Sequence, residues 1–138
     1  MPAPELNSYP PETVVAEKLQ AMIYLEAANS RMKDFYDLWM LANRFEFKGE
    51  VLQESIHRTF ENRKTKIPAG KPVAFSAQFA QDKQTQWSAF LKTSAIMGAP
   101  EKLETVLAFL QKFIMPVLKD TLAKQKFEKM WKPGGLWK

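Results

Sequence analysis

Five charged residues in two neighbouring segments carry the chemical interest of this sequence. Lys18 stands inside the apolar run "EKLQAMIYLEAANS", and "RMKDFYDL" then crowds Arg31, Lys33, Asp34 and Asp37 into seven residues. Cations beside carboxylates at a helix–helix junction suit the handling of phosphate groups. A lysine is a point charge for a phosphate, and an arginine adds a planar fork of donors. The helical neighbours of Lys18 are Val14, Val15, Ala21 and Met22, which puts it at the margin of an apolar stripe. From there its amine can snorkel to the rim of the core, or it can aim at a ligand.

Asp34 falls in the first turn of the following helix, where the helix dipole favours a carboxylate. Arg31 and Lys33 add positive charge around it. Asp37, one turn on, shares a side with Asp34 and Leu41. It can pair with Arg31 or Lys33 and fix the helix start. Two carboxylates at this spacing can also hold or position a magnesium ion. Counted along the helices, Lys18 lies roughly 15 Å before the break and Asp34 about 5 Å after it. In a tight antiparallel hairpin the two would flank a ligand of nucleoside triphosphate size without touching.

The elements that must place these residues are helices. Residues 1–11 hold four prolines and read as an extended lead-in with room for one short edge strand around Glu5–Tyr9. Pro11 suits the first position of a helix running from about Glu12 to Ala28, with Val15, Leu19, Met22 and Ile23 facing inward. Ser30 is placed to cap a second helix, Arg31–Phe45, whose Phe35, Leu38, Trp39 and Ala42 keep amphipathic spacing. Gly49 breaks the chain before a third helix, Glu50–Asn62, burying Leu52, Ile56 and Phe60. The stretch "RKTKIPAGKPVAF" is a basic loop, and Ser76 is placed to start a short turn of helix. Asp82 is the expected cap of a fourth helix that buries Trp87, Phe90 and Leu91. A fifth, Glu101–Met115, carries Leu103, Val106, Leu107, Leu110 and Ile114 on one face, and Pro116 ends or kinks it. The stretch to "KPGGLWK" is expected to fray. Trp131 and Trp137 are out of place in a frayed end; they fold back on the body or meet a partner. The fold class is mainly α, about five helices. The organisation is an extended lead-in (1–11), a helical domain (12–118) and a basic tail (119–138).

Composition sets further bounds. The 138 residues suffice for one domain with a single core, and seventeen aromatic side chains argue against disorder. With no cysteine and one histidine, thiolate metal sites and histidine-based zinc sites or triads drop out. His57 is read as a surface residue. No run is long and apolar enough for a membrane span, so no membrane partner is expected. Nothing reads as a signal peptide, and a cytoplasmic location is the default. Of the net charge of +5, residues 119–138 supply +4, which solubilises the end or serves nucleic acid.

"YPPETVVAEKLQAM", "NSRMKDFYDLW" and "TFENRKTKIP", continued through "FAQDKQTQWSAFL", together resemble the C-terminal half of the AbiEii/AbiGii-type toxin family of nucleotidyltransferases. The pairing of "AEKL" with R-x-K-D-x-Y-D-L is the specific part. The resemblance implies a helical half that closes a site whose other half, a polymerase-β-like core with a glycine-serine motif and paired aspartates, binds triphosphate and magnesium. It makes Lys18 and Asp34 the catalytic residues. It puts Lys18, Arg31 and Lys33 on the nucleotide, and Asp37 in support. It also implies Mg2+ and a nucleoside triphosphate as cofactor and substrate. The acceptor is in some members the end of a tRNA, a cognate antitoxin is the partner, and the role is phage defence by abortive infection. The glycine-serine pair and D-x-D are missing here, and the first glycine is Gly49. The core is therefore expected outside these residues, in a longer protein or lost by truncation, and this chain alone is expected to be inactive.

Two other readings remain open. One is a non-enzymatic helical module that binds an antitoxin or partner subunit through an exposed patch of Leu6, Tyr9, Val14 and Trp39. The other is a small RNA-binding domain using Lys64, Lys66 and Lys71 with the lysine tail.

Overall fold

The computed structural model describes residues 9–28 and 31–138. Five α-helices occur among them: α1 (Pro11–Leu25), α2 (Met32–Arg44), α3 (Gly49–Asn62), α4 (Ala77–Thr93) and α5 (Leu103–Leu122). The mainly α expectation therefore holds. Of the edge strand expected near the N-terminus, Glu5–Ser8 lie outside the described residues.

Pro11 opens α1 with Glu12 in its first turn, where a missing N–H and a negative charge both suit the helix end. Val15, Ala16, Leu19 and Met22 are buried. The helix stops three residues earlier than expected, because Glu26 turns to a φ of +50° and a 3-10 turn, Glu26–Ala28, follows. Ser30, the expected cap of α2, is outside the described residues; Arg31 holds the cap position without a side-chain cap bond. Phe35, Leu38, Leu41 and Ala42 enter the core, and α1 packs along α3, whose Leu52, Ile56 and Phe60 are buried.

The start of α4 differs from expectation. Ser76, not Asp82, is its cap: the Ser76 backbone is extended and its Oγ accepts the Phe79 N–H at 3.1 Å. A serine so placed satisfies a donor that the helix leaves free. Asp82 lies inside the helix, bonded by Gln78 at 2.7 Å. Trp87 is buried, but Phe90 and Leu91 only in part. Pro116 does not end α5, which continues to Leu122. The carbonyl of Lys112 loses its donor there, while buried Phe113, Ile114, Val117 and Leu118 hold both sides of the proline in the core.

The C-terminal stretch does not fray. Two residues, Met130–Trp131 (β2), pair antiparallel with Phe47–Lys48 (β1), and Trp131 is fully buried. Its ring meets Phe113 at 4.7 Å and Trp137 at 5.4 Å, and Phe127 meets Trp137 edge-on. Trp137 donates its indole N–H to the Phe113 carbonyl at 2.9 Å, in the turn before Pro116. Of the two readings of Trp131 and Trp137, folding back on the body is the one the structure bears out, and buried Phe127 joins them.

Gly49 is where the returning stretch comes closest to the helices. Its N–H bonds the Lys129 carbonyl at 2.7 Å. A Cβ there would lie 2.5 Å from Phe127 Cδ2 and 2.6 Å from the Phe127 and Lys129 carbonyl oxygens. Gly49→Ala is therefore expected to cost about 1–3 kcal/mol by overpacking, read as a lower urea midpoint; an unchanged midpoint would mean the contact is loose.

Candidate functional site

The first turns of α2 and the middle of α1 bring the charged residues together. Lys18 Nζ lies 3.0 Å from Asp34 Oδ1 and 3.0 Å from Asp37 Oδ2. Arg31 Nε stands 3.1 Å from Asp34 Oδ2, and Lys33 Nζ 2.8 Å from Asp37 Oδ2. The direct Lys18–Asp34 contact overturns the expectation that the two would flank a ligand without touching. That expectation assumed a tight hairpin broken after Ala28. Instead α1 ends at Leu25 and six residues connect it to α2. Lys18 is thus about 10 Å from the end of its helix, and its long stem covers the remaining gap. Asp37 pairs with Lys33, one of the two partners expected for it.

Burial sharpens the cluster. Asp34 is only 3% exposed, and the Lys18 side chain 23%. Asp34 Oδ2 is buried and receives no hydrogen bond of good geometry; the Arg31 guanidinium faces it as an ion pair rather than along an N–H direction. Burying a carboxylate of this kind is costly unless cations stand beside it.

Loss of solvation is the largest single effect on Lys18, and it disfavours the ammonium. Hydrogen bonds to Asp34 and Asp37, and the charges of both carboxylates, outweigh it and hold the pKa above the usual 10.5. The folded chain therefore binds this proton more tightly than the unfolded one. Its contribution to stability is complete below the unfolded lysine pKa and is lost as pH rises through the folded one. Urea midpoints followed from about pH 8 to about pH 11.5 should fall at the alkaline end, and Lys18→Met should remove the Lys18-linked part of that fall.

The cluster borders a cleft of about 430 Å³, lined by Tyr9, Thr13, Glu17, Lys18, Arg31, Asp34 and Arg63 among others. This is within the usual range for a small-molecule site. Lys18, Arg31 and Asp34 reach the cleft. Lys33 and Asp37 are not part of its lining and act on it through their pairs. Arg63, at the C-terminal end of α3, pairs with Glu17 and stands 3.5 Å from Gln20 Oε1. Gln20 in turn donates to Thr65 Oγ1 at 2.8 Å. These contacts fasten the basic loop after α3 to α1. The sequence reading missed Arg63, Glu17 and Gln20 as site residues. The available signal was the basic "NRKTK" together with Glu17 and Gln20 on either side of Lys18. His57 is exposed, 3.7 Å from Glu61, and does not line this cleft.

Magnesium does not fit these residues by themselves. The Lys18 ammonium already sits between the two carboxylates, at 3.0 Å from each, where a bridging dication would have to go. No group of three acidic or histidine ligands occurs among the described residues, whereas magnesium wants several oxygens and little competing positive charge.

Residues 1–110 match the family model described as nucleotidyl transferase AbiEii toxin, type IV TA system. The chain belongs to this family. The earlier resemblance thus holds across the stretch that contains Lys18, Arg31, Lys33, Asp34, Asp37 and Arg63. The AbiEii match ends inside α5, so Trp131 and its neighbours Phe113 and Trp137 lie beyond it, while Phe109 lies within it. No curated protein and no solved structure matches the chain. No helix among the described residues is long and apolar enough to cross a membrane.

Proposed function

We propose that this chain is the helical half of a toxin nucleotidyltransferase, and that the cleft beside Lys18 receives the phosphates of a nucleoside triphosphate. The observation that carries the reading is the placement of the Lys18 ammonium. It is held by two carboxylates beside a cleft that Arg31 and Arg63 also line, in a chain of the AbiEii family. Phosphoryl-type transfers depend on positioning and charge stabilisation more than on covalent help from the protein. The acceptor hydroxyl, such as the end of a tRNA, forms a bond to the α-phosphorus; the bond to pyrophosphate breaks, and the hydroxyl proton leaves to a base.

In this reading Lys18 touches the triphosphate, and Arg31 leans on it from the α2 side. Asp34, nearly fully buried and facing Lys18 and Arg31 with its two oxygens, is a positioning residue for those cations. Asp37 steadies Lys18 and holds Lys33 nearby. The proton-accepting group and the magnesium ligands belong to a nucleotidyltransferase core outside these 138 residues, so the chain alone is inactive. A cognate antitoxin and a role in phage defence follow from the same reading.

Inorganic tripolyphosphate tests the cleft without needing activity. Titrated into the labelled chain, it should shift the NMR signals of Lys18, Arg31 and Arg63 with weak, salt-sensitive affinity, and Lys18→Met should weaken it at least tenfold. Shifts that ignore Lys18, or that map to another surface, would count against the assignment.

A further inference from the structure

Beyond Arg63, the basic loop after α3 is a feature that the triphosphate site leaves unused. Arg63 lines the cleft. Lys64 and Lys66 follow it, are exposed, and have no carboxylate partner among the described residues. The loop is anchored: the Thr65 N–H bonds the Phe60 carbonyl at 2.8 Å, and its hydroxyl takes the Gln20 amide. Its cations are therefore presented at a fixed place beside the cleft. The cleft is also lined by Tyr9, 57% exposed, whose ring offers a face to a base. Cations in a row beside an exposed aromatic ring make the pattern that binds single-stranded nucleic acid, by backbone charge and base stacking together.

We infer that Arg63, Lys64 and Lys66 form the acceptor-side track, gripping consecutive phosphates of a single-stranded RNA end and leading its terminal hydroxyl into the cleft. The inference rests on the proposed function and adds the surface that recognises the acceptor. The lysines of the C-terminal stretch, although more numerous, are not needed for it. That stretch carries Phe127, Trp131 and Trp137 of the aromatic core, whereas Lys64 and Lys66 flank Thr65, which Gln20 of α1 holds.

The test uses the chain itself and a labelled single-stranded RNA of about eight nucleotides, a length within the usual footprint of such sites. Three phosphate contacts predict a log–log salt slope of about −2. Lys64→Gln/Lys66→Gln, which breaks no ion pair, should weaken binding about tenfold and flatten the slope by about 1.4, whereas Lys124→Gln/Lys126→Gln should change neither. The inference is overturned if the loop variant binds like the wild type or if the tail variant loses as much. A blunt RNA duplex or an acidic peptide that competes as well as the single strand would also overturn it. Tripolyphosphate added to the same samples reads the cleft separately. Failure of its Lys18-dependent binding would strike the proposed function, while loop-independent RNA binding strikes only the track.

Discussion

Trp131→Ala is expected to lower folding stability by about 3–5 kcal/mol, the usual loss when a fully buried aromatic side chain is cut to a methyl group. The side chain is fully buried, with the Phe113 ring centred 4.7 Å away and the Phe109 ring edge-on at 5.8 Å. It also serves the backbone. Its indole N–H bonds the Ala42 carbonyl at 2.7 Å, and the Gly134 N–H reaches the same oxygen at 3.0 Å. Ala42 is in the last turn of α2, where carbonyls have no partner within the helix. The returning stretch therefore caps α2 as well as filling the core. Against a total stability of about 5–15 kcal/mol for a domain of this kind, such a loss leaves little margin. Urea unfolding should give the value. Trp131→Phe, which keeps a ring and loses the N–H, should fall between Ala and wild type. A loss under about 1 kcal/mol for the alanine variant would mean that the stretch is not docked.

Lys18 carries the second large effect, and here stability and activity should part company. Lys18→Met leaves Asp34 buried with Arg31 as its remaining cation, and should cost about 3 kcal/mol, the low end of what a broken buried ion pair costs. Lys18→Met/Asp34→Leu removes both charges and should recover most of that loss, because well-packed apolar replacements of a buried pair are often neutral. The two sites touch, so their effects are not additive. If the pair served folding alone, activity in the complete enzyme would return with stability. On the present account it does not, because the triphosphate still lacks its cation. Recovered transfer in the stable double variant would reduce the cluster to a structural clasp.

Much of the fold was legible in the sequence. The apolar stripes of α1, α2, α3 and α5 are local, and period 3.6 reveals them whatever the tertiary context. The charged motif was legible for a different reason: residues three apart on one helix share a face, so Asp34 and Asp37 could be placed together, though not their common partner Lys18. What the sequence hid was long-range. Nothing local to Trp131 says that it will lie on Phe113 and under Ala42, and a two-residue strand leaves no periodic trace. The Lys18–Asp34 contact was misjudged because it depends on where α1 stops, and Glu26 at φ +50° is not a residue type that announces such a stop. Arg63 was read only as part of a basic loop. Only the packing of α3 along α1 brings it into the cleft.

The most direct test of the central claim is transfer of label from an α-labelled nucleoside triphosphate to tRNA. It compares the 138-residue chain alone with a protein in which an AbiEii-type nucleotidyltransferase core is joined to it, each with Lys18 and with Lys18→Met. The account predicts no labelled product from the chain alone, product from the joined protein, and a loss of at least about 100-fold on Lys18→Met, the scale of one transition-state charge contact. Product from the chain alone, or a joined protein indifferent to Lys18, would contradict it.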